Sequence, residues 1–575
     1  MSVSTIPVVE YKHFFEDEGK GVKEYIGGIS EDVLRKVAPT LLSFDMSDEE
    51  FSEPMNMMKF WLGEQHPNLP EINARYQGLI AQSKINRWRL VIPYNSLRLI
   101  EEVRKMNEEV ESSKEPEDSN LNLLKAYLIL NQYYANYFDS KIGETTRDLD
   151  GYFKGAAMIC CIGLKDNDIT NYNLKIIFGT SLIKAIHLFE FMDSNDYCKP
   201  YIRKICDKYN VSSWKEFVLR LTGIVRFAIE RIEPNKYSQV TFDDSVDLTL
   251  FDDLNHDFSY NGEELDFIKV RSNPLIKIDE RTYVIIFDLF LVQKLFKGLY
   301  WLLMSFTTNQ RERDELRQKI TYDFSEKYLL YKTLDDLYSR AIKFSGEEID
   351  NYGINGFVDF YARDTNDIYL FESKDVLIGA KTKTSGDWNL ISSDLKKKFH
   401  SEIDREGNVD RKAILQLLNS IKIIMRKEFA IDKELKDINR AIFYPILVVH
   451  DEIFNLPGIC IILNNWFREE LRKDVELRSI DNRIKGITMI DINTILFNKN
   501  ILKENPTLLK RSINNAYLDF RKLAAPTEIR RNMSREEVES MMVPFEQYLE
   551  NGIPPEAKRS PTEFLEAAAR LFEEG

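Results

Sequence analysis

Residues Gly356 to Lys374 read GFVDFYARDTNDIYLFESK, and this stretch decides how the rest of the chain is interpreted. Two runs rich in aromatic and other β-prone residues flank the polar segment DTND (364–367), which is a turn candidate. The pattern therefore predicts a β-hairpin. Acidic residues interrupt both runs, and a charge on an otherwise apolar strand is costly unless it is paired or bound to a ligand.

The register of this hairpin determines which charged side chains meet. If Arg363 pairs with Ile368 across the turn, Asp359 lies opposite Glu372, and the two side chains are about 5 Å apart at their base. Lys374 lies two residues beyond Glu372, so it projects from the same face of its strand. The hairpin is therefore expected to bring together two carboxylates and one ammonium group.

Such a group of side chains has a definite chemistry. Two carboxylates held this close repel each other unless a cation lies between them, and their oxygens suit Mg²⁺ or Mn²⁺. A bound divalent ion can polarise a phosphate and activate water, while Lys374 could orient that water or stabilise negative charge. We predict that Asp359 and Glu372 bind the metal in a phosphodiester hydrolase. The alternative is that these three residues are ordinary surface charges of a hairpin. Such triplets occur by chance in a chain of which 30% of the residues are charged.

The arrangement resembles the PD-(D/E)XK phosphodiesterase superfamily, which has the restriction-endonuclease-like fold. The resemblance covers roughly residues 309–500. Asp359 corresponds to the aspartate of the motif, with Val358 where the motif's name has proline, and the run from Glu372 to Lys374 corresponds to its ExK element. The resemblance implies a mixed β-sheet flanked by helices and a metal-dependent cleavage of nucleic acid, with DNA as the expected substrate.

Two further residues match the superfamily by position. Glu326 lies near the start of the helix predicted over 323–342, where many members carry a glutamate that reaches the metal or a water ligand. The alternative is an acidic residue stabilised by the helix macrodipole. Gln416 lies on the amphipathic helix predicted over 410–429, where RecB-like nucleases have a glutamine, often with a tyrosine four residues later. Ser420 stands at that later position here, and Gln416 is alternatively an ordinary solvent-facing side chain.

Basic residues concentrate after the hairpin, although the chain has a formal net charge of −15. Twelve Lys and Arg residues and seven Asp and Glu residues lie between Lys374 and Lys427. Five of these residues are predicted to contact nucleic acid: Lys381, Lys383, Lys396, Lys397 and Lys398. Trp388 could stack on a base, within a segment (379–393) predicted as a loop that orders on substrate. An ordinary solvated loop explains the same pattern equally well.

Further elements are expected on either side of the hairpin. The run YPILVVHDE (444–452) predicts a buried strand that ends in His450 and Asp451, for which a structural polar pair is favoured over a catalytic one. A further strand that leads into a helix is predicted over 487–496. Before the hairpin, a very apolar helix over 289–306 is expected to be buried, either where two domains meet or in a dimer interface.

The chain is thus predicted to be multidomain, with a largely helical N-terminal half followed by a restriction-endonuclease-like mixed sheet flanked by helices. The expected regions are a mixed segment (1–115), a mainly helical domain with a β segment near 239–287 (116–308), the nuclease domain (309–525) and a charged tail (526–575). Length alone supports several domains, since a domain usually contains about 100–200 residues.

Several classes of protein are disfavoured by signals that the sequence lacks. No CxxC pair occurs among the five cysteines, which argues against a structural zinc site. There is no GxxxxGK[ST] motif for a nucleotide-binding P-loop. Neither a signal peptide nor a membrane span is recognisable, so we expect a cytoplasmic protein. The acidic net charge argues against non-specific coating of nucleic acid.

The sequence therefore predicts a nuclease that depends on Mg²⁺ or Mn²⁺, binds nucleic acid and has no membrane partner. The alternatives are a catalytically silent nucleic-acid-binding or scaffold protein with a nuclease fold, and an RNase toxin. The helical half could form a homo-oligomer or bind a partner protein, as in bacterial anti-phage defence proteins of similar layout. That last expectation rests on analogy of architecture alone.

Overall fold

The structure is a computed structural model, and it describes residues 7–44, 52–83, 88–106, 117–229, 237–259, 264–403, 407, 409–525 and 535–554. Of the described residues, 63% are helical, and a mixed five-stranded sheet lies in the C-terminal half. The prediction of a largely helical first half followed by a mixed sheet is confirmed at this coarse level. Much of the predicted tail, 526–534 and 555–575, lies outside the described residues, and the proposed domain boundaries stay a prediction.

The first half consists mainly of helices. Its helices are α1 (Val22–Ile26), α2 (Glu31–Leu42), α3 (Pro54–Leu62), α4 (Leu69–Gln82), α5 (Pro93–Met106), α6 (Ser119–Thr145), α7 (Gly151–Thr170), α8 (Leu174–Ser194), α9 (Lys199–Tyr209), α10 (Trp214–Ile229), α11 (Thr249–Asp253) and α12 (Ile268–Ser272). A 3₁₀ turn, Tyr11–His13, precedes them. Three short strands form a small antiparallel sheet: β1 (Gln239–Thr241), β2 (Leu275–Lys277) and β3 (Thr282–Ile285).

The apolar segment after β3 is helical, as predicted, but it is not buried on all sides. It comprises α13 (Asp288–Gln293), a π-helical stretch (Lys294–Gly298) and α14 (Leu299–Ser305). Its first turns are buried between two cores, whereas Trp301 in α14 is 55% exposed. Among the residues described, no helix combines the length and apolarity needed to cross a membrane.

A five-stranded mixed sheet organises the second half. The strands of this half are β4 (Ile342–Ser345), β5 (Phe360–Asp364), β6 (Asp367–Lys374), β7 (Ser401–Ile403), β8 (Val409–Arg411), β9 (Ile442–Val449) and β10 (Thr488–Asp491). The order in the sheet is β10-β9-β6-β5-β4, while β7 and β8 form a separate hairpin. The strands β4, β5 and β6 are antiparallel neighbours, and β6, β9 and β10 run parallel.

The helices of the second half cover both faces of this sheet. One continuous helix, residues 310–337, is called the site helix below. It contains α15 (Gln310–Gln318), a π-helical stretch (Lys319–Leu330) and α16 (Tyr331–Leu337). The others are α17 (Gly346–Asn351), α18 (Ala380–Lys383), α19 (Trp388–Phe399), α20 (Ala413–Met425), α21 (Ile459–Lys473), α22 (Val475–Ser479), α23 (Ile492–Glu504), α24 (Thr507–Leu523), α25 (Arg535–Ser540) and α26 (Phe545–Gly552); the 3₁₀ turns are Ile438–Arg440, Glu452–Phe454 and Asp481–Arg483.

Alternation along the strands sends successive side chains into two different cores. Phe360 and Phe371 belong to the core on the side of the site helix, which contributes Phe324. Tyr361 and Leu370 belong to the core on the opposite face, which α20 and α21 cover. The strand β9 is apolar throughout and β6 is apolar over residues 368–371, as central strands of a sheet covered on both faces usually are.

Several local predictions differ from the structure. The helix before the hairpin ends at Leu337 and begins at Gln310, so Ile342 starts strand β4 instead of closing a helix. The short strand β4 is only half-buried and carries too weak an alternation to stand out from the helix before it. The segment 379–393, predicted as a mobile loop, contains α18 and the start of α19, for which Asp387 is the N-cap.

The register of the β5–β6 hairpin is the one predicted, since Arg363 pairs with Ile368 and Phe360 with Phe371. A buried carboxylate beneath the hairpin holds this register. Asp432 accepts hydrogen bonds from Arg363 Nε (2.6 Å) and Nη2 (2.9 Å) and from the Tyr361 hydroxyl (2.7 Å). Burial alone would raise the pKa of Asp432, but these bonds outweigh it and leave that pKa below its usual value.

Buried polar contacts join the two halves of the chain. Lys383 in α18 donates hydrogen bonds to Asp168 in α7 (3.1 Å) and to Asp266 (2.6 Å). Arg271 in α12 forms ion pairs with the same two carboxylates, at 2.9 and 3.1 Å. Burial alone would raise the pKa of Asp168, yet Arg271, Lys383 and Lys297 hold it well below the usual range.

A second set of contacts lies at the end of β9. Lys297, in the π-helical stretch after α13, forms ion pairs with Asp451 (2.9 Å) and Glu452 (3.0 Å). Gln293 donates a hydrogen bond to Glu452 (2.8 Å). The helical half thus packs polar side chains directly against the strand ends of the sheet, and the two halves share buried charges.

The turn of the hairpin contains a strained residue. Thr365 has φ of +56°, a left-handed conformation that costs a β-branched residue about 1 kcal/mol or more. We expect Thr365→Asn to increase the free energy of unfolding by about 1 kcal/mol, because asparagine tolerates this conformation. Thr365→Ala, which keeps the Cβ, is the control and should change stability by much less. Denaturant unfolding measures both, and equal stability of the two variants would contradict the prediction.

The buried contacts of Lys383 predict a large effect of its removal. Lys383→Met should destabilise the protein by about 3–5 kcal/mol, since it leaves Asp168 and Asp266 short of a buried partner. Lys381→Met removes an exposed lysine of the same helix and should change stability by about 0.5 kcal/mol or less. Thermal unfolding of the two variants would show the difference, and similar melting temperatures would argue against a buried structural role for Lys383.

Candidate active site

One edge of the five-stranded sheet collects the charged residues singled out from the sequence. Asp359 directly precedes β5, and Glu372 and Lys374 are among the last three residues of β6. Because β5 and β6 are antiparallel, the start of one strand lies beside the end of the other. The backbone N–H of Ser373 donates a hydrogen bond to Asp359 Oδ2 (2.6 Å), which ties the two strands together at this point.

Glu372 is the most deeply buried of these groups. Its side chain is 0% exposed, and its Oε1 accepts a hydrogen bond from the Lys374 ammonium. Its other oxygen, Oε2, is buried without a hydrogen-bond partner among the described residues. Burial raises the pKa of Glu372 to about 8, and the nearby charge of Asp359 adds to the increase while Lys374 opposes it. A cation bound beside this oxygen would favour the charged carboxylate and lower its pKa again.

Burial acts on the pKa values of Asp359 and Lys374 in opposite directions, but both pKa values are raised. Burial raises the pKa of Asp359, although Lys374 and the Ser373 N–H lower it. Burial would lower the pKa of Lys374, but Glu372, Asp359 and Glu326 raise it above its ordinary value. Lys374 therefore stays positively charged, and it can donate hydrogen bonds but cannot act as a general base near neutral pH.

Glu326 approaches the same cluster from the site helix. Burial raises its pKa to about 8, with Asp359 as the next largest cause, which places the two carboxylates in close electrostatic contact. The Tyr331 hydroxyl donates a hydrogen bond to Glu326 Oε1 (3.0 Å). Glu326 lies in the interior of the helix and not near its start, because the helix begins at Gln310. An explanation through the helix macrodipole therefore does not apply.

Tyr331 was not singled out from the sequence. It lies five residues after Glu326, a separation that does not bring side chains together in an ordinary α-helix. The wide turns of the π-helical stretch, Lys319–Leu330, make the contact possible. No periodic pattern in the sequence announces such a stretch.

Gln416 lies on α20, the helix that covers the face of the sheet from which Asp359 and Glu372 project. Its Oε1 is buried without a hydrogen-bond partner among the described residues. One turn later, the Ser420 hydroxyl accepts a hydrogen bond from the backbone N–H of Val358 (3.1 Å), next to Asp359. Ser420 thus anchors the start of β5, and the role predicted for Gln416 stays a prediction.

His450 and Asp451 occupy the end of β9 and have structural partners. His450 Nε2 lies 2.9 Å from the Ser373 hydroxyl, and burial lowers the pKa of His450 to about 3. Asp451 accepts the backbone N–H of Ile453 (2.9 Å) and pairs with Lys297. The favoured interpretation of a strand-end polar pair agrees with these contacts.

The five lysines predicted to contact nucleic acid differ in their exposure to solvent. Lys381, Lys396 and Lys397 are exposed, and Lys398 is half-buried and pairs with Asp394 (2.5 Å). The prediction that Lys383 contacts nucleic acid is wrong. Its side chain is 2% exposed and bonded to Asp168 and Asp266, so it cannot reach a phosphate.

The interpretation of Trp388 is also wrong. Its side chain is buried in the core and contacts Phe153 edge-on, with ring centroids 5.8 Å apart, so it is not available to stack on a base.

The donor set fits a hydrated divalent ion. Among the described residues, no three His, Cys, Asp or Glu side chains are arranged to enclose a metal ion. Mg²⁺ does not require such a cage, because it usually keeps several waters and takes only one or two carboxylates from the protein. The unpartnered Oε2 of Glu372 and the adjacent Asp359 supply ligands of that type. The geometry thus suits an ion that carries most of its own water.

Known proteins add no further information about this arrangement. Comparison with models of protein families, with curated proteins and with solved structures gives no match to the chain. The chemistry of the site must therefore be inferred from its own residues.

Proposed function

We propose that this protein is a divalent-metal-dependent nuclease that hydrolyses phosphodiester bonds in DNA. The observation that carries the proposal is the convergence of Asp359 and Glu372 at one sheet edge. The Lys374 ammonium is bonded to Glu372, and the other glutamate oxygen has no hydrogen-bond partner in the part of the chain that the structure describes. Burying charges in this way is costly, and the cost is understandable if a cation and a substrate complete the site.

The surrounding architecture supports the resemblance to the PD-(D/E)XK phosphodiesterases. An antiparallel hairpin continues into two parallel strands, and helices cover both faces of the sheet. The Asp359 position and the Glu372-to-Lys374 run lie on neighbouring strands at the same edge. Glu326 reaches the cluster from the preceding helix, where many members of that superfamily carry a glutamate.

In this proposal Asp359 and Glu372 hold Mg²⁺ or Mn²⁺. The ion would supply Lewis-acid polarisation of a phosphate oxygen and a water of lowered pKa. The Lys374 ammonium would donate a hydrogen bond to the attacking water or to the phosphate oxygen on which negative charge develops. Glu326, held by the Tyr331 hydroxyl, would accept a hydrogen bond from a water on the opposite side of the cluster.

The presence of the whole charged set favours an enzyme over a silent scaffold. A binding protein would gain stability by replacing a fully buried glutamate with an apolar side chain of similar volume. Instead, Glu372 stays buried with a pKa raised to about 8, which is typical of functional sites and not of surface hairpins.

The catalytic role of Lys374 gives the first test. Lys374→Ala should reduce cleavage by about 10²–10³-fold, the usual effect of removing one charge-stabilising donor. Linear duplex, circular duplex, single-stranded DNA and RNA would each be incubated with Mg²⁺, Mn²⁺ or EDTA. Lys343→Ala, a lysine on the edge strand β4, is the matched control and should cut like wild type. A folded Lys374→Ala protein with wild-type activity would disprove the assignment.

Metal binding gives an independent test that needs no substrate. In EDTA near neutral pH, Glu372→Gln should be more stable than wild type by about 1–3 kcal/mol, because burial raises the pKa of Glu372 to about 8 and folding must protonate this carboxyl, whereas glutamine needs no proton. Mg²⁺ or Mn²⁺ should raise the melting temperature of wild type, since a ligand of the folded state stabilises it. The ion should have little effect on Glu372→Gln. An equal metal-induced shift in both proteins would contradict the assigned ligand.

A further inference from the structure

One side of the site helix carries an unusual set of residues that leads to the carboxylates. Arg313, Arg317, Tyr322 and Glu326 are spaced four, five and four residues apart. Turns of 3.6 residues in α15 are followed by wider turns in the π-helical stretch, so this spacing keeps all four residues on one side. Between Arg313 and Tyr322 the helix rises by about 13 Å.

The two arginines differ from three other cations of the same helix, Arg311, Lys319 and Lys327, which have acidic partners. Arg313 and Arg317 are both exposed, and neither forms an ion pair with any residue in the described part of the chain. By contrast, Arg311 pairs with Glu315 (3.0 Å) and Lys319 with Asp323 (2.6 Å). Unpaired guanidinium groups in line with a candidate catalytic glutamate are suited to phosphate, which they bind in a bidentate manner.

Contacts with the hairpin place this side of the helix next to the candidate active site. The Ser325 hydroxyl donates a hydrogen bond to Asp375 (2.6 Å), the residue directly after Lys374. Arg317 lies within electrostatic range of the same Asp375. The helix is therefore fixed against the end of β6, and Arg317 lies near Asp375 at that end.

Tyr322 lies close to the other carboxylates. Its side chain is 40% exposed although it lies within electrostatic range of Glu326 and Asp359. The Lys327 ammonium lies 4.7 Å from the centroid of the Tyr322 ring. An exposed ring with a cation beside it, at the rim of a phosphodiesterase site, is a platform on which a base can stack.

A second exposed aromatic residue lies at the far end. Trp301 is 55% exposed and contacts Tyr300 edge-on, with ring centroids 5.1 Å apart. Tyr300 in turn lies within electrostatic range of Arg313 and Arg317. The half-buried Tyr300 thus connects the exposed Trp301 to the arginines, while Tyr322 lies towards the carboxylates. Alternation of cations and aromatic rings is typical of surfaces that bind single strands.

We propose that Trp301, Arg313, Arg317 and Tyr322, here named the strand track, bind a single-stranded polynucleotide and lead it to the carboxylates. Arg313 and Arg317 contact backbone phosphates, and Tyr322 stacks on the base beside the scissile phosphate. A duplex does not offer this base, since its faces are covered by neighbouring pairs. The inference rests on the proposed nuclease function and names its substrate class, while the sugar, deoxyribose or ribose, is left to the experiment.

Binding in EDTA tests the strand track without cleavage. Fluorescence anisotropy would compare labelled single-stranded DNA, single-stranded RNA of the same sequence and duplex DNA on the full-length protein. Single strands should bind more tightly than the duplex. Tyr322→Ala should weaken single-strand binding about tenfold, as expected for the loss of one base stack, whereas Tyr322→Phe should bind like wild type.

Salt dependence separates phosphate contacts from stacking. The double variant Arg313→Ala/Arg317→Ala should reduce the slope of log affinity against log salt by about 1.4, since each phosphate contact to a single strand contributes about 0.7. Arg311→Ala, which removes a paired arginine on the opposite side of the helix, is the matched control and should leave affinity and slope unchanged. All replaced side chains are exposed, so melting temperatures should match wild type.

The outcomes distinguish this inference from the proposed function. Tighter binding of duplex than of single strands, or unchanged affinity in Tyr322→Ala, would overturn the strand track even if wild type cleaves duplex DNA. Conversely, single-strand binding that requires the strand track would support it even if no metal produces cleavage, and only the nuclease assignment would then fail. Absence of binding to every polynucleotide would overturn the strand track.

Discussion

The buried ion pair between Arg363 and Asp432 fixes the strand on which the candidate site depends. Side chains alternate along a strand, so a shift of the hairpin by one residue would send Glu372 and Lys374 to the opposite face of the sheet. Asp432 also binds the Tyr361 hydroxyl, and it therefore holds two positions of β5 at once. Asp432, which is not part of the candidate site, thus helps to hold the register in which Asp359 lies beside Glu372.

The charged cluster of the candidate site destabilises the fold. Three carboxylates with raised pKa values face one ammonium group, and the π-helical stretch of the site helix replaces the tighter hydrogen bonding of an α-helix. Both features oppose folding, and both converge on Glu326 and its partner Tyr331. Local strain of this sort persists only where the surrounding structure over-determines it, and it is commonly found at functional sites. The well-packed cores on both faces of the sheet provide that support.

Local chemistry explains what could be predicted from the sequence. The polar DTND turn between two apolar runs specified the hairpin and its register, and the register placed Asp359 beside Glu372. Features that depend on partners far away in the sequence could not be predicted from local patterns. Lys383 looked like a surface lysine, because its partner Asp168 lies 215 residues away in the sequence. Trp388 was misread for the same reason, since the core that buries it includes Phe153.

The buried charges shared between the two halves have a consequence for modularity. A fragment beginning near residue 309 would retain Lys383, Asp451 and Glu452 but would lose their partners Asp168, Lys297 and Gln293. Each broken pair would leave an uncompensated charge on a surface that is also strongly apolar. The half that contains the sheet is therefore not expected to fold as an independent module, and the two halves are expected to be inherited together.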